Sequence, residues 1–193
     1  HLVVLLEPAL RQDRHAHHRA AVQKLPPALG VEEVARLGVE DVELHGGDEE
    51  LIAQARARRC ELSAKHRSAG AAFLAENQLK EGVHTLPSGL QYRVLAEGVG
   101  PVPSATDVVI VNYRGTLLDG TEFDNSAHHA EPARCKINQT IPGWAQALCR
   151  MKLGAKWQLF VPAELAYGER GAGRLIPPNA TLIYELELAW IET

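Results

Sequence analysis

The chain has 193 residues, 46% hydrophobic and 23% charged, a balance that fits one ordinary globular domain with or without an appendage and excludes collagen-like or wholly disordered chains. A formal net charge of −4 gives no global electrostatic case for nucleic acid or an anionic membrane surface. No apolar run reaches the roughly 18–20 residues of a membrane span. The run Leu2 to Leu6 is short for a secretory signal and lacks a basic flank, so the expected compartment is the cytoplasm, with the periplasm left open because the chain starts at His1 rather than Met. Cys60, Cys135 and Cys149, an odd and widely spaced set, read as free thiols rather than a disulfide framework.

Residues 1–47 are broken by Pro26-Pro27 and Gly46-Gly47. Leu5, Ala9 and Leu10 suit a helix over 2–21, and 32–37 suits a further turn or two. His15 and His18 would share one helix face, but no carboxylate or cysteine at ligand spacing joins them, so a solvated face is expected rather than a metal site. One long helix is predicted over 48–82: Asp48, Glu49 and Glu50 favour its N-terminus, good helix formers fill its interior, and Gly82 is a stop. Leu51, Ala55, Leu62, Ala69 and Phe73 form a narrow apolar stripe, so most of the circumference should face water. Arg56, Arg58, Arg59, Lys65 and Arg67 are interspersed with Glu61 and flanked by Glu49, Glu50 and Glu76, which reads as a solvated charged face rather than a nucleic-acid patch.

Of ten aromatic residues only Phe73 lies in the first 82, so the dense core belongs to residues 83–193. The expected organisation is an N-terminal segment over 1–47, a connecting helix over 48–82 and a folded domain over 83–193. In that domain the hydrophobic period changes to two. Strands are predicted over 90–95, 108–118, 133–138, 156–161 and 181–191. In the last, Leu182, Tyr184, Leu186, Leu188 and Trp190 share one face, with Glu185 and Glu187 on the other. A single short helix over 144–151 carries Trp144, Leu148 and Met151 on one side. No strand–helix–strand repeat occurs, so the fold class is α+β, an antiparallel sheet with one helix packed on it.

No phosphate loop, dinucleotide fingerprint, zinc-protease motif or nucleophile elbow is present. Ser88 and Ser126 lack His and Asp partners at a recognisable spacing, and His128-His129 beside Asp124 and Glu131 reads as a polar loop. Nothing calls for a nucleophile, a metal or a cofactor. What stands out is a set of apolar and aromatic side chains at loop edges: Tyr113, Phe123-Asp124, Ile141-Pro142-Gly143-Trp144, Ala166-Tyr167-Gly168 and Leu175-Ile176-Pro177-Pro178.

In their setting these residues carry a resemblance. The segments VNYRGTLLDGTEFDNS, IPGWAQAL, VPAELAYGERGAG and LIPPNATLIYELEL, in this order, resemble the FKBP-type peptidyl-prolyl cis-trans isomerases over roughly 85–192. The lead-in LPSGLQYRVL after a long helix is similar to the bacterial two-domain group of the macrophage-infectivity-potentiator type. The resemblance implies a half-barrel of five or six antiparallel strands wrapped around the short helix. It also implies a pocket with Trp144 as its floor, Tyr113, Phe123, Ile141, Tyr167, Ile176 and Tyr184 as its walls, and Asp124 at its edge. The Ile141 N–H and the Tyr167 hydroxyl would donate to the bound peptide. The implied activity is acceleration of Xaa-Pro rotation in folding proteins, without cofactor or metal. The alternative is a chaperone module that holds proline-containing segments with weak or no catalysis. Implied partners are unfolded or partly folded proteins and macrolide inhibitors, with no nucleic acid and no membrane. Leu2, Val3, Val4, Leu5, Leu6 and Leu10, together with the dimerising arm of that group, predict a homodimer joined through the N-terminal region. Tyr184 stands where the family usually has Phe and Thr140 where it has Val, Ala133 and Cys135 occupy positions that are often aromatic, and the loop after Tyr167 lacks a histidine found in some members. These departures predict a pocket with less apolar area and one more polar wall.

Overall fold

The computed structural model describes residues 49–129 and 133–192. The predicted helices over 2–21 and 32–37, the His15/His18 pair and the dimerising arm lie outside the described residues, as does Glu131.

The long helix, α1, runs Glu49–Asn77, ending a turn earlier than predicted. Strands follow in the order β1 (Val83–Thr85), β2 (Gln91–Ala96), β3 (Val108–Leu117), β4 (Glu122–Asn125) and β5 (Ala133–Lys136), then the short helix α2 (Pro142–Leu148), β6 (Lys156–Val161) and β7 (Leu182–Glu192). All pairings are antiparallel, in the path β1-β2-β6-β7-β3-β4, with β5 on the same edge of β3 as β4. The sheet has seven strands where five or six were expected. The additional β1 and β4 have three and four residues, too few to show a period in sequence.

Pro142 occupies the first turn of α2, where its fixed φ suits the helix and its missing N–H costs nothing. Trp144, Leu148 and Met151 point together into the core, with Leu90, Val109, Val111, Leu159, Leu182, Leu186 and Leu188. The face predicted for β7 holds from Leu182 to Leu188 and then breaks: Trp190 is exposed. Val111 pairs with Leu188 but Ile110 pairs with Trp190, so Ala189 is an extra residue in the ladder. That bulge reverses the in–out parity, sending Trp190 outward and Ile191 against the core.

The buried side of α1 also differs from the predicted stripe. Leu62 and Ala69 are exposed, whereas Ile52, Ala55, Gly70 and Asn77 are buried. The inner line runs 52, 55, 59, 63, 66, 70, 73, 77, a steady three-to-four spacing, but its residue types are mostly polar or small. The Asn77 amide donates to Gln91 Oε1 at 3.0 Å, and the Gln91 amide donates to the Leu74 carbonyl at 2.8 Å. Phe73 lies against Phe160 with ring centres 5.8 Å apart. A methyl group on Gly70 would come within 2.2 Å of Thr181 Oγ1, so glycine is what allows the helix to approach the start of β7. The helix therefore lies along the domain rather than standing off it.

Candidate functional site

Four aromatic rings meet above α2. Trp144, on the first turn, makes edge contacts with Tyr113 from β3 (5.0 Å, 70°) and Tyr184 from β7 (5.1 Å, 79°). Phe123 from β4 meets Tyr184 edge-on at 5.5 Å and 88°. Tyr184 is thus the hub of the box, and its burial follows from the period-two pattern of β7. The rings close this tightly because β3 carries Gly115 opposite Tyr184. A Cβ there would lie 2.5 Å from the Phe123 ring and 2.9 Å from Tyr184. Ile141, the residue that caps α2, and Ile176 are buried in the same cluster, and Tyr167 packs against it half-buried. All seven predicted floor and wall residues therefore come together.

Asp124 sits at the rim. Its Oδ2 accepts from the Tyr113 hydroxyl at 2.7 Å, and its Oδ1 accepts from the Asn125 N–H at 2.9 Å. His129 Nε2 lies 3.0 Å from the same Oδ1. The Tyr113 hydroxyl is held far above its ordinary titration range, first by burial and then by its bond to Asp124. Burial likewise raises Tyr167 and Tyr184, and Tyr184 is raised further by its interaction with the Tyr167 hydroxyl. These three phenols remain neutral donors at any physiological pH. With Tyr113 committed to Asp124 and Tyr184 turned toward Tyr167, the hydroxyl of the half-buried Tyr167 is the phenol of the three not committed to a carboxylate or to the core. Among the described residues no acceptor takes up the Ile141 N–H.

Cys135 on β5 lies near Tyr113, and burial pushes its thiol up to about 11, so it is a small neutral wall residue and not a nucleophile. Ser126 Oγ accepts from the Tyr113 N–H at 2.9 Å and donates to the Tyr113 carbonyl, and Ser88 donates to Gln146. Both hydroxyls serve local structure. All three cysteines are free, and no group of three metal-ligating side chains forms among the described residues. His129, in the loop after β4, is a rim residue beside Asp124. Its only sequence signal was proximity to Asp124, with no period to place it. The site is an aromatic box with phenol hydroxyls and the Ile141 N–H beside it and the Asp124 carboxylate at one edge.

Comparison with known proteins agrees with this geometry. A family model described as FKBP-type peptidyl-prolyl cis-trans isomerase matches residues 100–189, and one described as the domain amino terminal to it matches 32–94. A crystal structure of a peptidyl-prolyl cis-trans isomerase from Pseudomonas syringae pv. tomato is 37% identical, with a TM-score of 0.63 over 68% of this chain and 96% of that one.

The chain belongs to the FKBP family.

Its two matched segments place it in the bacterial two-domain group. The crystal structure of FkpA from Escherichia coli superposes with a TM-score of 0.72 at 34% identity, covering 80% of this chain and 76% of that one. Among curated relatives, the FKBP-type 22 kDa peptidyl-prolyl cis-trans isomerase of Escherichia coli K12 is 54% identical over 119 residues, 62% of this chain and 58% of that protein. The outer membrane protein MIP of Legionella longbeachae is 44% identical over 139 residues, 72% of this chain and 60% of its own length. The chain thus spans about three-fifths of the length of these relatives. The cytoplasmic expectation gains nothing from them. No described helix is long and apolar enough to cross a membrane.

Proposed function

We propose that this chain is a peptidyl-prolyl cis-trans isomerase that accelerates Xaa-Pro rotation in unfolded or partly folded proteins. The observation that carries the proposal is the ring box around Tyr184, with neutral phenols and an open N–H at its mouth, in a chain of the FKBP family. Rotation about the amide breaks C–N resonance, at a barrier of about 18–20 kcal/mol. The twisted transition state is less polar than the planar amide, so a pocket that strips water from it favours it over the ground state. Trp144 provides an apolar floor for the proline ring, Phe123 and Tyr184 one wall, and Tyr113 and Ile141 another. The Ile141 N–H and Tyr167 hydroxyl would take the carbonyls flanking the proline and hold the bent conformer. A rate gain of about 10⁴ needs about 5.4 kcal/mol, a sum that desolvation, shape and two hydrogen bonds supply.

No proton leaves the substrate, and the titratable phenols are neutral at physiological pH. Turnover of a proline tetrapeptide should therefore be flat in kcat/KM between about pH 6 and 8. A tenfold fall inside that window would overturn the desolvation mechanism. A chain that binds proline peptides yet leaves their isomerisation rate unchanged would be the holding chaperone instead. Unfolded proline-containing proteins as clients, and macrolides as pocket ligands, belong to this proposal. So do a connecting helix over 48–82 that docks on an isomerase domain over 83–193, and a homodimer through residues 1–47.

A further inference from the structure

The outer wall of the box is a loop from Ala166 to Asn179 that delivers both Tyr167 and Ile176. Its backbone hydrogen bonds within the loop are a two-bond bridge between Ala172 and Ile176, a 3.3 Å bond from the Gly171 N–H to the Tyr167 carbonyl, and a 2.8 Å bond from the Asn179 N–H to the Gly168 carbonyl. Gly168, Gly171 and Gly173 adopt positive φ, and so does Asn179 at 56°. A segment built this way gains little rigidity from its own backbone.

From outside, the loop is held by a 2.8 Å bond from the Gly168 N–H to the Ala163 carbonyl, by the burial of Ile176 in the core, and by α1. The Arg59 guanidinium donates to the carbonyls of Arg170 at 3.2 Å and Glu169 at 3.5 Å. Arg67 pairs with the Glu169 carboxylate at 2.7 Å. The Asn179 amide, in a residue only 4% exposed, donates to Ser63 Oγ at 2.6 Å. These three helix residues succeed one another at four-residue intervals, so one face of α1 meets the loop at both its ends. The Asn179 anchor reaches Tyr167 by the shortest route, since the Asn179 N–H bonds the carbonyl of Gly168, the next residue. Below the contact, Gly70 against Thr181 and Phe73 against Phe160 fix the height and direction of the helix.

We propose that α1 is a brace for the pocket: Arg59, Ser63 and Arg67 are positioning residues that hold the 166–179 loop, and through it Tyr167 and Ile176, in the substrate-binding geometry. The proposal rests on the isomerase function above for its catalytic consequence, but the mechanical part stands alone. Solvent screens the Arg67–Glu169 pair, and any one exposed contact is weak. Three contacts on one rigid helix act together because the helix is already ordered when they form.

The test uses the full chain with Arg59→Ala, Ser63→Ala and Arg67→Ala combined. Hydrogen exchange by mass spectrometry should show peptides within 168–179 exchanging about tenfold faster, with β3 and β7 unchanged. On a proline tetrapeptide the KM should rise about three- to tenfold with a smaller change in kcat, because the loop must be re-ordered at each binding event. Arg67→Glu alone should loosen the loop partly, and Arg67→Glu with Glu169→Arg should restore both readouts. Unchanged exchange in 168–179 would overturn the brace. So would faster exchange with an unaltered KM, or failure of the reversed pair to recover. A wild-type chain without isomerase activity would remove the isomerase proposal instead, and the exchange data would still decide whether α1 braces the loop.

Discussion

Tyr184 illustrates how one hydroxyl can be both tolerated and useful in a core. Its ring is the hub of the box, and burying its oxygen without a partner would cost about 1–3 kcal/mol. The Tyr167 hydroxyl beside it meets that need. Tyr184→Phe keeps the ring contacts and removes only the oxygen, so kcat/KM should stay within about threefold of wild type. A fall of a hundredfold would give the hydroxyl a direct catalytic part. Asp124 is different, because it accepts from Tyr113 and Asn125 and faces His129. Asp124→Asn preserves shape but weakens charge-assisted bonds, and kcat/KM should drop about tenfold through a misplaced Tyr113. An unchanged value would make the rim purely structural. The buried titratable groups also fix an alkaline limit. The Cys135 thiol ordinarily loses its proton near 9.0 and is pushed up to about 11, and the phenols of Tyr113, Tyr167 and Tyr184 are raised above 10.0. Raised values mean that the folded state keeps protons that the unfolded chain gives up. Stability is therefore full below about pH 9 and declines as pH climbs through 10 and 11, which urea midpoints across that range will show.

At the scale of elements, legibility followed the strength of the period. β7 was visible from its alternation, and the pocket residues from motif order, because the aromatic types at loop edges are individually unusual. The parity reversal at Ala189 was not visible, since a one-residue bulge leaves no mark in composition, and Trp190 was placed on the wrong face in consequence. α1 was visible as a helix, but its inner face was legible only at Ala55 and Phe73. The true line includes Arg59, Ser63, His66, Gly70 and Asn77, and an apolar search selects Leu62 and Ala69 instead, both of which face water. Arg59 and Arg67, which read as members of a solvated face, bond the loop at 169–170. The docking of this helix depends on shape and hydrogen bonds more than on apolar area, and Gly70 is its most sensitive point. Gly70→Ala would raise intrinsic helix propensity by about 1 kcal/mol. The added methyl would meet Thr181 Oγ1 at 2.2 Å and Thr181 Cβ at 3.2 Å, a clash with a stiff β-branched side chain. Overpacking of this kind costs about 1–3 kcal/mol, so the net effect should be destabilisation, measured as a lower urea midpoint with an unchanged m-value. A stabilised variant would show that the helix rides over the sheet with room to spare.

For the molecule as a whole, these contacts determine whether α1 behaves as a linker or as part of the folded unit. A linker would be expected to fray independently of the sheet. Here the buried Asn77–Gln91 bond, the Phe73–Phe160 contact and the Gly70–Thr181 approach join the last two turns and more of α1 to β2, β6 and the start of β7. Breaking the first of these leaves a buried amide without a partner, a penalty of about 1–3 kcal/mol that couples helix to strand. The helix from Ser63 onward should therefore unfold with the barrel in one transition. The chain provides separate probes. All three tryptophans, Trp144, Trp157 and Trp190, lie in the barrel, so their fluorescence reports the sheet alone. Hydrogen exchange in peptides from 63–77 reports the helix. Titrated with urea, both should give the same midpoint and the same opening free energy within error. Exchange in 63–77 that becomes rapid well below the tryptophan midpoint would mean that the helix detaches first, and the domain would then begin at β1.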